Sequence, residues 1–240
     1  MRVRRRDHPP VRVNESADLP AASRQLAADV ERLSSSHELF KRLLQRNGVP
    51  PLWWRPASVE TLVRFILEQQ VSLASANAAF NRLEVRLNGV TAEGVFSSTD
   101  DELKADGFSR QKAGYVRGIA EEILAGELDI PALARDGDKA RERLLGINGI
   151  GPWTAACFAL FVSGDRDAWP TGDRALYVSM ARNLELADVP TRHDGDRIAS
   201  EWSPLRSAAA KMLWHDYLGG TAYVPRTDAG FSDGTGKVST

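Results

Sequence analysis

Between Leu144 and Phe161 the chain reads LLGINGIGPWTAACFALF, and this run restricts the fold more than any other stretch. Apolar side chains flank Gly149 and Gly151, and Pro152 follows at once. Glycine reaches the positive φ of a tight hairpin and leaves room for a ligand to approach closely. Proline at a first helical position forfeits no hydrogen bond. The segment therefore predicts a short helix, a hairpin over residues 146–151 and a helix opened by Pro152. The amides of Gly149, Gly151 and the first helical turn, Thr154 included, then face outward at the positive end of the helix dipole. Such an end accepts anions, and a nucleic-acid phosphate suits it. A plain helix-turn-helix corner explains the same spacing. Leu144, Leu145, Ile147 and Ile150 fit a hairpin whose own side chains form a small core.

The rest of the chain is helical in pattern. Residues 1–24 mix arginine, proline and small polar residues without period and are expected to form a disordered basic arm. A helical pattern begins near Leu26 and continues through Phe40 and Leu44 until Gly48. Residues 49–56, with three prolines and two tryptophans, predict an irregular connector. Ser58 can cap a helix carrying Leu62, Phe65 and Ile66 that ends in Glu68-Gln69-Gln70-Val71-Ser72. Another helix follows with Ala76, Phe80, Leu83 and Leu87 on one face. Thr99 to Glu102 reads as a capping box, and Ser109 can cap a helix ending at Gly126. A loop is expected through Pro131 and a short helix over residues 139–145. Beyond the hairpin, residues 174–186 are expected to be helical, Thr191 to Asp194 to form a capping box, and Ser203-Pro204 to open a helix closed by Gly219. Residues 225–240 read as a flexible tail. No strand alternation or long repeat appears, so the fold class is all-α with many short helices.

Composition narrows the function. An apolar share of 42% suffices for a packed core, and no run is long enough for a membrane span. The charged opening lacks the apolar stretch of a secretion signal, so the expected location is the cytoplasm, with the nucleoid as the place of work. One cysteine, Cys157, excludes an internal disulfide, a cysteine-ligated zinc and a cluster held by four thiolates. With 31 basic and 32 acidic residues, bulk charge cannot drive nucleic-acid binding. Any DNA contact must be local.

Several residues invite chemistry and admit simpler readings. Asp173 can cap the helix that follows it. Asp165 and Asp167 are read as loop structure, and Trp153 and Trp214 by periodicity as core. Gln69 and Gln70 suit a helix surface unless that helix end faces a ligand. His193 and His215 lack clustered partner ligands and are read as structural or surface residues. Lys211 is read as an ordinary helix surface residue.

Residues 144–176, with a hairpin, a Gly/Pro-rich loop and an aspartate, resemble the helix-hairpin-helix motif of the HhH-GPD superfamily of DNA glycosylases. The 3-methyladenine DNA glycosylase II branch is most similar. Three further segments resemble it in order: the helix ending in Gln-Gln-x-Ser, the Ser-x-x-Lys-Ala helix from Ser109, and the Trp-x-Pro-x-Arg segment running from Trp202 to Trp214. The resemblance implies a monomer of two helical lobes over residues 25–224, in a compact form without the N-terminal β domain of larger bacterial members. It implies that an alkylated base is flipped out of double-stranded DNA and its N-glycosidic bond hydrolysed in base excision repair.

Asp173 falls on the family's catalytic aspartate, where a carboxylate stabilises the positive charge developing on the sugar. Trp153 and Trp214 match pocket aromatics that stack on an electron-poor base, and Cys157 replaces a larger aromatic. Trp153 also stands where lyase branches carry a nucleophilic lysine, which implies simple hydrolysis. Gln69 and Gln70 match the helix end that enters the duplex. The backbone carbonyls of Leu145, Ile147 and Ile150 match a monovalent-cation site; no other cofactor is required and no iron-sulfur cluster is expected. Two rivals remain: a glycosylase of the same fold for deaminated or etheno bases, and a non-catalytic DNA-binding protein that keeps the hairpin.

Overall fold

The computed structural model describes residues 19–220, and among these there are thirteen helices and no strand. In chain order they are α1 (Leu19–Ser36), α2 (Glu38–Asn47), α3 (Val59–Glu68), α4 (Leu73–Leu87), α5 (Ala92–Ser97), α6 (Asp100–Asp106), α7 (Arg110–Leu124), α8 (Ile130–Ala134), α9 (Gly137–Leu145), α10 (Pro152–Phe161), α11 (Arg174–Asn183), α12 (Arg192–Ser200) and α13 (Arg206–Tyr217). None is long and apolar enough to cross a membrane.

Polar residues in the sequence set most of the boundaries. Ser58, Ser72, Ser109 and Asp173 each accept a backbone N–H at the start of a helix, which satisfies a donor that the helix leaves free. Thr99 and Glu102 form the expected reciprocal capping box. Gly48, at φ 71°, ends α2.

Two hydrophobic cores result. Leu62, Phe65, Phe80, Val116 and Ile119 build the first, between α3 and α9. Phe40, Leu43, Met180, Trp202 and Leu213 build the second, from α1, α2 and α11 to α13. Helix α10 belongs to both: Ala155, Cys157 and Phe158 enter the first core, Ala159 and Leu160 the second. Phe161 and Trp214 pack against both cores and mark the seam.

Four expectations change. Residues 19–24, assigned to the arm, are the start of α1, where Ala22 is already buried. Residues 1–18 of that arm and the tail over 225–240 lie outside the described residues. The loop through Pro131 is a helical turn capped by Asp129, with proline in its first turn where it is tolerated. Helix α13 opens at Arg206 rather than at Pro204, because Leu205 is buried in the second core and the Ser207 N–H bonds Arg166 O at 3.1 Å. Lys211 is no surface residue: it is 6% exposed, on a helix whose run of alanines gives no amphipathic stripe to read.

Within the second core, Asp216 is buried and accepts hydrogen bonds from Arg46, Asn47, Ser179 and Asn183, joining α2, α11 and α13. Burial alone would raise its pKa, but hydrogen bonds from Ser179, Asn183 and Asn47 and the Arg46 charge outweigh burial and hold it below the usual carboxylate value. A carboxyl more acidic folded than unfolded contributes stability above its unfolded pKa, and that contribution fades as pH falls through and below it. Denaturant titrations at several pH values should therefore show stability falling on the acid side of about pH 4, with a shallower fall in Asp216→Asn.

Candidate active site

The site forms where the hairpin, the loop before α11 and α13 meet. Asp173 Oδ1 accepts the Leu176 N–H at 3.0 Å and so caps α11. The same carboxylate receives two indole N–H groups: Trp153 Nε1 donates to Oδ2 at 2.9 Å and Trp214 Nε1 to Oδ1 at 3.2 Å. Asp173 is half-buried, and three donors from α10, α11 and α13 fix its orientation. The loop that delivers it is tied down by Asp196, which accepts Trp169 Nε1 at 2.9 Å, Tyr177 Oη at 2.7 Å and the Thr171 hydroxyl. The Tyr177 hydroxyl accepts the Gly172 N–H at 2.8 Å; burial and its bond to Asp196 push its pKa up to about 12.

The structure thus brings together Asp173, Trp153 and Trp214, three of the residues singled out in the sequence. Their arrangement differs from simple stacking walls, because both indole N–H edges are engaged by the carboxylate. One face of Trp214 is covered by Phe161, with centroids 5.4 Å apart and rings 22° from parallel. Cys157 is only 1% exposed and backs the site rather than opening into it. Burial pushes its thiol well above the ordinary value, and the charges of Asp173 and Glu68 push the same way, against Arg55.

At the hairpin, the two glycines have different reasons. Gly149 has φ +91°, and a Cβ there would lie 2.2 Å from the Tyr115 ring. Gly151, the N-cap of α10, has φ −93° and open space where a Cβ would stand. The first α10 rung runs from the Ala155 N–H to Gly151 O at 3.0 Å, so the Trp153 and Thr154 amides precede the ladder. The Thr154 side chain is buried and accepts Gln69 Nε2 at 2.9 Å. The hairpin carbonyl of Ile147 accepts the Ile150 N–H at 3.1 Å.

The two glutamines separate. Gln69 Nε2 also donates to Gly149 O at 2.9 Å, so this side chain laces α3 to the hairpin and is not free to enter a duplex. Gln70 is exposed at left-handed φ 56°, beside exposed Val71 and Leu73. Lys112 Nζ donates to Leu67 O at 2.7 Å and Gln69 O at 2.8 Å, closing the carbonyl end of α3; burial lowers its pKa. Its place in the Ser-x-x-Lys-Ala pattern was visible, whereas its task, on another helix, was not.

Other expected residues lie elsewhere. Asp165 and Asp167 shape the loop, Asp167 pairing with Arg206 at 2.8 Å. His193 is exposed and His215 buried, and no three His, Cys, Asp or Glu side chains gather as a metal site among the described residues. Lys211 extends over Phe161, 5.8 Å from its centroid; burial lowers its pKa to about 8, against the opposing effect of Asp29. Missed in the sequence was the pair Arg55–Glu68, at 2.7 Å, with the guanidinium 4.9 Å from the Phe65 centroid and 5.7 Å from that of Phe161.

A helical hairpin followed by a loop aspartate at the seam of two helical cores defines a class, and comparison with known proteins agrees. Residues 63–205 match the HhH-GPD superfamily of base excision DNA repair proteins, and the chain belongs to that family. It is 30% identical over 194 residues to DNA-3-methyladenine glycosylase 1 of Schizosaccharomyces pombe, covering 76% of this chain and 83% of that protein. It is 27% identical over 180 residues to a DNA-3-methyladenine glycosylase of Bacillus subtilis, covering 70% of this chain and 57% of the relative. The solved structure of S. pombe 3-methyladenine DNA glycosylase in complex with abasic DNA is similar at TM-score 0.71 and 28% identity, over 78% of this chain and 95% of that one. The 3-methyladenine DNA glycosylase of Archaeoglobus fulgidus, at 20% identity and TM-score 0.66 over 85% of this chain and 77% of that one, shares the fold.

The contrast between the glycines is measurable. Gly149→Ala should cost about 3 kcal/mol, from backbone strain and collision with Tyr115, read as a lower denaturation midpoint. Gly151→Ala should leave that midpoint nearly unchanged and weaken binding to an abasic-site duplex, read by fluorescence anisotropy.

Proposed function

We propose that the protein is a monofunctional DNA glycosylase that excises alkylated bases hydrolytically from double-stranded DNA. The carboxylate of Asp173, held in one orientation by two indoles and a helix start, carries this reading. Cleavage of an N-glycosidic bond develops positive charge on the deoxyribose. A carboxylate fixed in advance stabilises that charge more in the transition state than in the ground state. At about 4 Å and an intermediate effective dielectric the attraction is about 4 kcal/mol, enough to matter for rate. Water completes the reaction, because Trp153 offers no amine to attack the sugar. Trp153 and Trp214 stand beside the base, with Cys157 behind them.

The amides of Gly149, Gly151 and Thr154 hold a backbone phosphate at the α10 dipole, which lets a nearly neutral chain bind DNA. Gln70 fills the gap left by the flipped nucleotide, and one copy of the chain acts alone. The carbonyls of Leu145 and Ile150 accept no backbone N–H among the described residues, so with Ile147 they are suited to a monovalent cation. Bound there, the cation would offset the partial negative charge of these carbonyls; Gln69 holds the Gly149 carbonyl independently.

With a duplex treated to carry 3-methyladenine and 7-methylguanine, the protein should release free base and leave an abasic site uncut. Asp173→Asn should lower release at least 100-fold, about 3 kcal/mol, and still bind an abasic-site duplex. Borohydride should trap no covalent adduct. Unchanged release by the variant overturns the role of Asp173, and exclusive release of uracil, hypoxanthine or ethenoadenine from a panel of duplexes redirects the substrate assignment.

A further inference from the structure

Glu68 closes α3 one residue before Gln69, which laces that helix to the hairpin. Its side chain is 11% exposed, and one oxygen, Oε1, accepts Arg55 Nη2 at 2.7 Å. The second oxygen takes no hydrogen bond among the described residues. Arg55 is equally incomplete: its Nη1 is buried without an acceptor. The Arg55 backbone N–H donates to Phe161 O at 3.0 Å, and the guanidinium lies over the rings of Phe65 and Phe161. Phe161 stacks on Trp214, whose indole donates to Asp173. A continuous line of contacts therefore runs from Asp173 through the aromatic stack to a carboxylate with an unused acceptor beside an unused donor. A buried donor left in that condition, as Arg55 Nη1 is, is costly unless a ligand or water completes it.

We propose that Glu68, oriented by Arg55, reads the exocyclic group of the flipped base and selects alkylated adenine over 6-oxopurines. This rests on the proposed function, with the base entering between Asp173 and the Trp214–Phe161 stack. An ionised carboxylate only accepts and a guanidinium only donates. Adenine presents an N6 amino donor flanked by ring nitrogens that accept. With position 6 set against the Glu68 oxygen, guanine and hypoxanthine present O6 there, which sets lone pairs against lone pairs across a partly desolvated site. A site built to bond a donor rejects an analogue that lacks it far more strongly than a shape-fitting pocket does.

The test uses one methylated duplex DNA carrying 3-methyladenine and 7-methylguanine, together with a hypoxanthine duplex, and measures the release of each base. The wild type should favour 3-methyladenine. In Glu68→Gln the amide oxygen stays with Arg55 and the NH₂ turns to the base. Release of 3-methyladenine should fall about 10- to 100-fold, while the ratio of 6-oxopurine to 3-methyladenine release rises. Arg55→Lys, which keeps a cation beside Glu68, should retain the wild-type order. A uniform loss on every base, or an unchanged ratio at an unchanged melting temperature, overturns the role of Glu68. If the wild type releases no alkylated base, the proposed function fails; if it does and Asp173→Asn does not, but Glu68→Gln leaves the ratio unmoved, only this inference fails.

Discussion

Because residues 152–161 are apolar on every side, the helix they form must be surrounded on every side. Neither core alone can do this. Its first half is covered by α3 and α9 and its second by the core built from α1, α2 and α11 to α13, so two hydrophobic cores are obliged to meet along one ten-residue rod. Fully buried side chains such as Phe158 contribute about 1.5–3 kcal/mol each, and that burial fixes the relative position of the two cores. The beginning of the rod is the hairpin and its end is Phe161 at the seam, so the hairpin backbone and the aromatics of the seam are parts of one rigid element.

The polar groups follow from that frame. A loop aspartate arriving at the seam meets indole N–H groups from both sides, one on α10 and one on α13, and satisfies them together with its own helix start. The glutamine and lysine around the end of α3 act likewise: Lys112 and Gln69 complete a helix end that would otherwise face the site with unpaired carbonyls and an unfastened hairpin. The half-buried indole N–H groups of Trp153 and Trp214 find their partner in Asp173, and the same bonds fix the direction of its carboxylate. Packing and orientation are the same contacts seen twice.

Local signals in the chain made much of this legible. Gly149, Pro152 and Asp173 announce their conformations through residue type, and caps such as Ser58, Thr99 and Ser109 through spacing. What was illegible depends on distant partners. Lys211 looks like any helix lysine until α1 and the Phe161 ring cover it, and Gln69 looks like its neighbour until the hairpin, 80 residues later, claims its amide. The Arg55–Glu68 pair joins an irregular connector to a helix end, and no periodicity relates them. Short helices such as α5 and α8 fall below the length at which an apolar stripe repeats.

The position of Cys157 has a consequence for an enzyme working where methylating agents attack DNA. Thiolates are the form of cysteine that reacts with electrophiles. The chain's one sulfhydryl is enclosed by α10's neighbours, and burial first, then the charges of Asp173 and Glu68, oppose its ionisation. An electrophilic methylating agent therefore finds this sulfur enclosed and held as a thiol rather than as an accessible thiolate.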